Sequence, residues 1–133
     1  MSDHNNNLGR FFEDYAVGDI ITHATPRTLT EADASLYISI YPTRFALQSS
    51  AEFARNCGLK DRPLDDLIVF HTVFGKTVPD ISINAVANLG YAEGTFTNMV
   101  FSGDTLSVTS EIIGLKQNSS GKTGIVYVKT EGQ

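Results

Sequence analysis

The residues that could do chemistry in this chain are few: three histidines, one cysteine, two adjacent serines and an arginine close to a proline. His4, His23 and His71 have no metal-ligand spacing to one another or to a nearby carboxylate pair, which argues against a metal site. Cys57 is the only cysteine, so neither a disulfide nor a cysteine-based zinc site can form within the chain, and a cytoplasmic location fits. In a helix it packs as a small hydrophobe. Ser49 and Ser50 lie outside a G-x-S-x-G elbow and read as helix caps. No phosphate-cradling glycine loop is present.

Two residues have open readings. His71 sits between Phe70 and Thr72 in an apolar run. Either it is a hydrogen-bonded core histidine, or it walls a site whose neighbouring backbone amides are free at a helix start. Free amides of that kind can hold an oxyanion or a thioester carbonyl. Arg44 lies between Pro42 and a helix start. Either it is a solvated surface arginine, or its guanidinium meets a carboxylate or phosphate through two hydrogen bonds.

The elements that must position these groups can be read along the chain. Residues 1–10 are Asn-rich and polar, which predicts a frayed end. The β-branched run Ile20–Thr25 predicts a strand after the Val17-Gly18-Asp19 turn. Thr28 with Glu31, or Thr30 with Asp33, has capping-box spacing for a first helix. That helix places Leu36, Tyr37, Ile40 and Tyr41 on one face and ends at Pro42. Ser49 is expected to cap a second helix together with Glu52, turning Phe53, Ala54 and Cys57 inward, with Gly58 as the left-handed cap. Leu67–Phe74 is apolar on every side and fits a buried strand or a buried helix. Val86–Thr97, Thr105–Leu115 and Gly124–Thr130 read as strands, with turns at Gly103-Asp104 and at 117–121. The order implies an α+β fold with an antiparallel sheet packed on helices.

Composition bounds the function. The chain has 133 residues, 10 Lys plus Arg and 15 Asp plus Glu, for a net charge of −5. That balance argues against nucleic acid or an anionic membrane as partner. No apolar run approaches the ~18 residues of a membrane helix, and MSDHNNNLGR does not read as a signal peptide. Apolar residues make up 41% and charged residues 19%, as in an ordinary globular domain, here expected over residues 11–133.

Several stretches carry a resemblance, among them Tyr41–Ala54, which is similar to the segment that holds the catalytic motif of the family named next. Phe96-Thr97-Asn98-Met99-Val100-Phe101-Ser102-Gly103-Asp104-Thr105-Leu106 is similar to the F-x-x-P-V-x-x-G-D-T-L signature of the MaoC-type hotdog-fold dehydratases, with Met99 at the proline position. Residues 69–82, 84–92 and 114–119 resemble the mesaconyl-CoA hydratase (β-methylmalyl-CoA dehydratase) family, specifically its first repeat. The resemblance covers about residues 10 to 131. It implies a hotdog fold, a curved antiparallel sheet wrapped around a central helix. That helix would begin near His71, and Gly75 would allow close packing to the sheet. The implied activity is reversible addition of water to an enoyl-CoA thioester, with no cofactor. Such chemistry needs an acid or base pair and amide donors on the thioester oxygen.

The same resemblance points to an empty catalytic position. The MaoC-type pattern is G-D-x-N-P-x-H. Aligned on Phe53-Ala54, the Asp position falls at Thr43 and the His position at Gln48. Neither side chain titrates near neutral pH. The family includes fusions of two hotdog repeats, one keeping the dyad while the other shapes the acyl-CoA tunnel. On that pattern Thr43, Arg44, Gln48 and Ser49 line the tunnel or the repeat interface. His71 and Thr72 match a His-Gly pair, and the amide at Thr72 or Val73 is the oxyanion donor. The implied partners are an acyl-CoA thioester and a second repeat or a second copy paired sheet to sheet. Two other readings remain: a non-catalytic acyl-CoA-binding subunit, and a hotdog thioesterase using Asp80 or Glu52.

Overall fold

A computed structural model of the chain describes residues 9–42 and 45–133. His4, Thr43, Arg44 and most of the expected frayed end lie outside the described residues. Within them, residues 9 and 10 are tied down: Gly9 packs on Ile83 and Asn84, and Arg10 Nη1 donates to the Asp80 carbonyl at 3.5 Å.

The elements run β1 (Ile20–Thr22), β2 (Arg27–Thr28), α1 (Glu31–Ile40), α2 (Ala46–Ser49), α3 (Ala51–Asn56), α4 (Asp66–Thr77), β3 (Thr105–Leu106), β4 (Val108–Gln117) and β5 (Gly124–Gly132). A 3₁₀ turn at Phe12–Asp14 precedes them, and a π-helical turn, Val78–Ser82, continues α4. By contacts the chain groups into two compact units. Of the described residues, unit one holds 9–25, 74–90 and 107–133; unit two holds 26–42, 45–73 and 91–106. Helix α4 runs through the sequence boundary, belonging to unit two through Val73 and to unit one from Phe74.

Unit one is built on an antiparallel sheet of order β1-β4-β5. Ile21 lies opposite Ser110, and Ser110 opposite Thr130. Burial alternates along β4, so Val108, Ser110 and Ile112 face inward, as the period of two requires. A register shift between Ile112 and Gly114 marks a bulge. Tyr15, Ile21 and Ile112 form the core with Ile81, Leu115, Val126 and Val128 around them. Gly124 leaves room for the Phe12 ring, which a β-carbon there would overlap.

Unit two is helical, with a short ribbon of β2 against β3. The second capping frame proves to be the one used. The Thr30 hydroxyl accepts from the Asp33 amide at 3.3 Å, while the Asp33 carboxylate accepts from the Thr30 amide at 2.9 Å. The Thr30 hydroxyl also donates to the Asp33 carboxylate at 2.7 Å, and this bond first, then the one from the Thr30 amide, holds the Asp33 carboxyl below its ordinary value, helped by Arg27. Leu29, Ala34, Leu64 and Leu106 form the core, with Ile68, Val69, Val73 and Val100 against it.

Four local expectations are corrected. Ser50, not Ser49, caps α3 by accepting from the Phe53 amide, whereas Ser49 ends α2 and donates to the Phe45 carbonyl. Of the three residues expected inward on α3, Ala54 is fully buried but Phe53 and Cys57 are exposed. Gly58 does close the helix, at φ +88°. The expected strand 86–97 is not one: this stretch carries no ladder and is exposed, with Glu93 at φ +56°. Strand propensity needs a partner strand, and a left-handed residue interrupts an extended run. Gly75 also differs, because nothing stands within 4 Å of the β-carbon position it leaves open.

Candidate functional site

The apolar run 67–74 resolves as helix because its start is capped. The Asp65 carboxylate accepts from the Leu67 amide at 2.8 Å, and its carbonyl accepts from Ile68 and Val69. Burial, then Asp65 beside it, raises the carboxyl of Asp66 above its ordinary value.

This start corrects the oxyanion expectation. The helix begins at Asp66, ahead of His71. Thr72 and Val73 are therefore interior, where each amide donates to the carbonyl four residues back and is not free. The Thr72 hydroxyl donates to the Ile68 carbonyl as well, at 2.8 Å. His71 is exposed, not a core histidine. It lies in a row of rings: Tyr41 to Tyr37 at 5.0 Å, Tyr37 to His71 at 6.5 Å, His71 to Phe70 at 5.7 Å, and Phe70 edge-on to Tyr91 at 5.2 Å.

Of the residues at the family's dyad, Gln48 is described and is buried, at 8% exposure. Its backbone carbonyl accepts from Arg62 Nη1 at 3.1 Å. The same guanidinium, mostly buried, pairs with Glu31 of α1. Arg62 thus ties α1 to α2, a role its charged loop did not announce. Beside it, Glu31, Lys60, Asp61, Arg62, Phe101 and Ser102 line an open cavity of about 310 Å³. The Lys60 ammonium stands 4.4 Å over the Phe101 ring.

A second constellation in unit one has no counterpart in the sequence reading. His23 follows β1 with its side chain fully buried. Its Nδ1 lies 2.7 Å from Asp80 Oδ2, in the π-helical turn. Its Nε2 lies 2.8 Å from Ser110 Oγ, and Ser110 Oγ lies 2.8 Å from Thr130 Oγ1. A π-helical turn is an uncommon element, met often at functional positions. Sequence spacing hides the group, since His23 is 57 positions from Asp80 and 87 from Ser110. The only available signals were a histidine and a serine on inward-facing strand positions. Tyr15 adjoins this region, donating to the Ile81 carbonyl at 2.9 Å, and burial raises its phenol above the ordinary value. No cluster able to hold a metal occurs among the described residues, and no described helix is long and apolar enough to cross a membrane.

An antiparallel sheet and a long central helix define an α+β fold of the hotdog class. Solved structures agree. The chain matches a MaoC domain protein dehydratase from Chloroflexus aurantiacus at TM-score 0.91 and 59% identity, over 99% of this chain and 37% of that one. It also matches a Mycobacterium tuberculosis protein with a double hotdog fold at TM-score 0.83 and 24% identity, over 93% and 39% of the two chains. The family model for mesaconyl-CoA hydratase matches residues 3–133, and the chain belongs to that family. Among curated relatives it is 62% identical over 126 residues to β-methylmalyl-CoA dehydratase of Chloroflexus aurantiacus, covering 95% of this chain and 36% of the relative. It is 60% identical to mesaconyl-CoA hydratase of Cereibacter sphaeroides, covering 95% and 37%. The chain therefore spans little more than a third of the length of these relatives, in their N-terminal part.

Proposed function

We propose that this chain is the substrate-binding repeat of a hydro-lyase that adds water reversibly to a short branched enoyl-CoA such as mesaconyl-CoA. On this reading residues 11–133 act as one MaoC-like hotdog domain, in the cytoplasm. The partner is a second repeat or a second copy, and it supplies the acid–base dyad. Membership of the mesaconyl-CoA hydratase family, with Gln48 buried where the MaoC-type pattern has its histidine, carries the reading. A glutamine amide can donate and accept hydrogen bonds but cannot move a proton at neutral pH, so it positions ligand or neighbour and does not activate water.

Arg44 is assigned to the free carboxylate of a dicarboxylic acyl-CoA by charge matching. A charge-assisted contact contributes about 1.5–3 kcal/mol, so Arg44→Ala should weaken mesaconyl-CoA binding by roughly tenfold or more in a calorimetric titration. A monocarboxylic enoyl-CoA of similar size should bind both proteins alike. Equal affinity of the variant and the parent for mesaconyl-CoA would remove Arg44 from the site.

A further inference from the structure

The polar chain running through unit one takes no part in the reaction just proposed. Its middle is buried and its two ends are not. The His23 side chain is fully buried and Ser110 is 1% exposed, whereas the Asp80 side chain is 37% exposed and Thr130 is exposed. The three links are 2.7, 2.8 and 2.8 Å long. No buried side-chain polar atom among the described residues lacks a partner.

We propose that Thr130, Ser110, His23 and Asp80 form a proton relay that carries charge from the surface at Thr130 to the buried imidazole. The donors and acceptors fix how it works. The Asp80 carboxylate only accepts, so Nδ1 carries the proton facing it. In the neutral ring Nε2 then accepts, the Ser110 hydroxyl donates to it, and the Thr130 hydroxyl donates to Ser110. When a proton arrives at the Thr130 oxygen from solvent, each hydroxyl passes its own hydrogen inward. Thr130 gives to Ser110, Ser110 gives to Nε2, and the ring becomes an imidazolium beside the Asp80 carboxylate. One proton enters, one positive charge appears, and only O–H and N–H bonds change. Both hydroxyls then point outward, the Nε2–Ser110 and Ser110–Thr130 links persist with their direction reversed, and Nδ1 still donates to Asp80. A buried histidine ordinarily loses a partner when it changes charge; this one keeps all of its partners.

The surrounding groups leave the carboxylate as the counter-ion. The π-helical turn presents Asp80. The N-terminal segment brings Arg10, on the Asp80 carbonyl, and Tyr15, on the Ile81 carbonyl. Lys76 of α4 donates to the Thr25 carbonyl. Glu111, Lys129 and Glu131 alternate in sequence with Ser110 and Thr130, so they occupy the opposite face of the sheet. Lys129 and Glu131 pair with each other there.

The test is nitrogen-15 spectroscopy of the histidine rings in the full chain, with His4→Gln and His71→Gln used to assign the His23 signals. The relay requires the neutral His23 ring to carry its proton on Nδ1. It also requires Thr130→Val, which keeps shape but loses the hydroxyl, to slow exchange of the ring protons with solvent. Thr130→Ser should restore the exchange, and Ser110→Ala, which cuts the wire one link further in, should slow it again. A neutral ring protonated on Nε2 would overturn the proposal. So would equal exchange rates in the parent and Thr130→Val. The readout does not depend on the hydratase reading, because it involves neither acyl-CoA nor turnover.

Discussion

His23 and His71 are the two histidines the structure describes, and they occupy opposite circumstances. His23 is sealed in unit one, with a hydrogen-bond partner on each ring nitrogen. His71 is exposed on unit two, among the rings of Tyr37 and Phe70. The same contrast runs through the units. Unit one threads a polar chain beside the apolar group of Tyr15, Ile21 and Ile112. Unit two keeps an aliphatic core, Leu29, Ala34, Leu64 and Leu106, and leaves large apolar side chains outside, among them Leu36, Ile40 and Phe53. The difference teaches that unit one links its histidine into a buried polar chain, whereas unit two leaves its histidine at the surface among rings.

Apolar truncation should not distinguish the units. Ile112 and Leu29 are both at 0% exposure. Each replaced by Ala should cost about 2–5 kcal/mol in urea unfolding. A cost below 1 kcal/mol at either site would show that its unit is loosely packed. Polar truncation should separate the units sharply. His23→Leu takes one of two partners from the buried Ser110 hydroxyl, which keeps Thr130, and removes the ring from the half-solvated Asp80, at about 1–3 kcal/mol in all. His71→Leu, at an exposed position, should stay within about 0.5 kcal/mol of the parent. Equal losses would break the comparison. Between these lies the α1 cap in unit two, where Thr30→Ala should cost about 1 kcal/mol.

That cap also carries a pH dependence. The folded Asp33 carboxyl lies below its ordinary value of 3.8. Its contribution is therefore present above that value and is lost as pH falls through the lower, folded value. Thr30→Ala removes the largest cause of the lowering. The gap in stability between parent and variant should therefore narrow on acidification below about pH 4, followed by urea unfolding at each pH.

Much of the fold was legible because its signals are local. Thr30 and Asp33 mark a helix start, Gly58 a helix end, and the alternation from Leu106 to Ile112 a half-buried strand. The strand expected at 86–97 failed because pairing depends on a partner that no local pattern reveals. The family-based start of α4 near His71 failed because Asp65 and Asp66 supply an earlier cap. Thr43 and Gln48 were legible as a departure only through the resemblance, since nothing in their own types marks a missing dyad. The His23–Asp80 and His23–Ser110 pairs were not legible, because long-range contacts leave no trace in spacing.

On the proposed function this repeat holds an acyl-CoA without turning it over. The direct test mixes the purified chain with mesaconyl-CoA, follows absorbance of the conjugated thioester, and measures binding by calorimetry in the same buffer. The expected result is measurable binding and no loss of the conjugated chromophore until a second repeat carrying an Asp–His dyad is added. Robust hydration by the chain alone would contradict it.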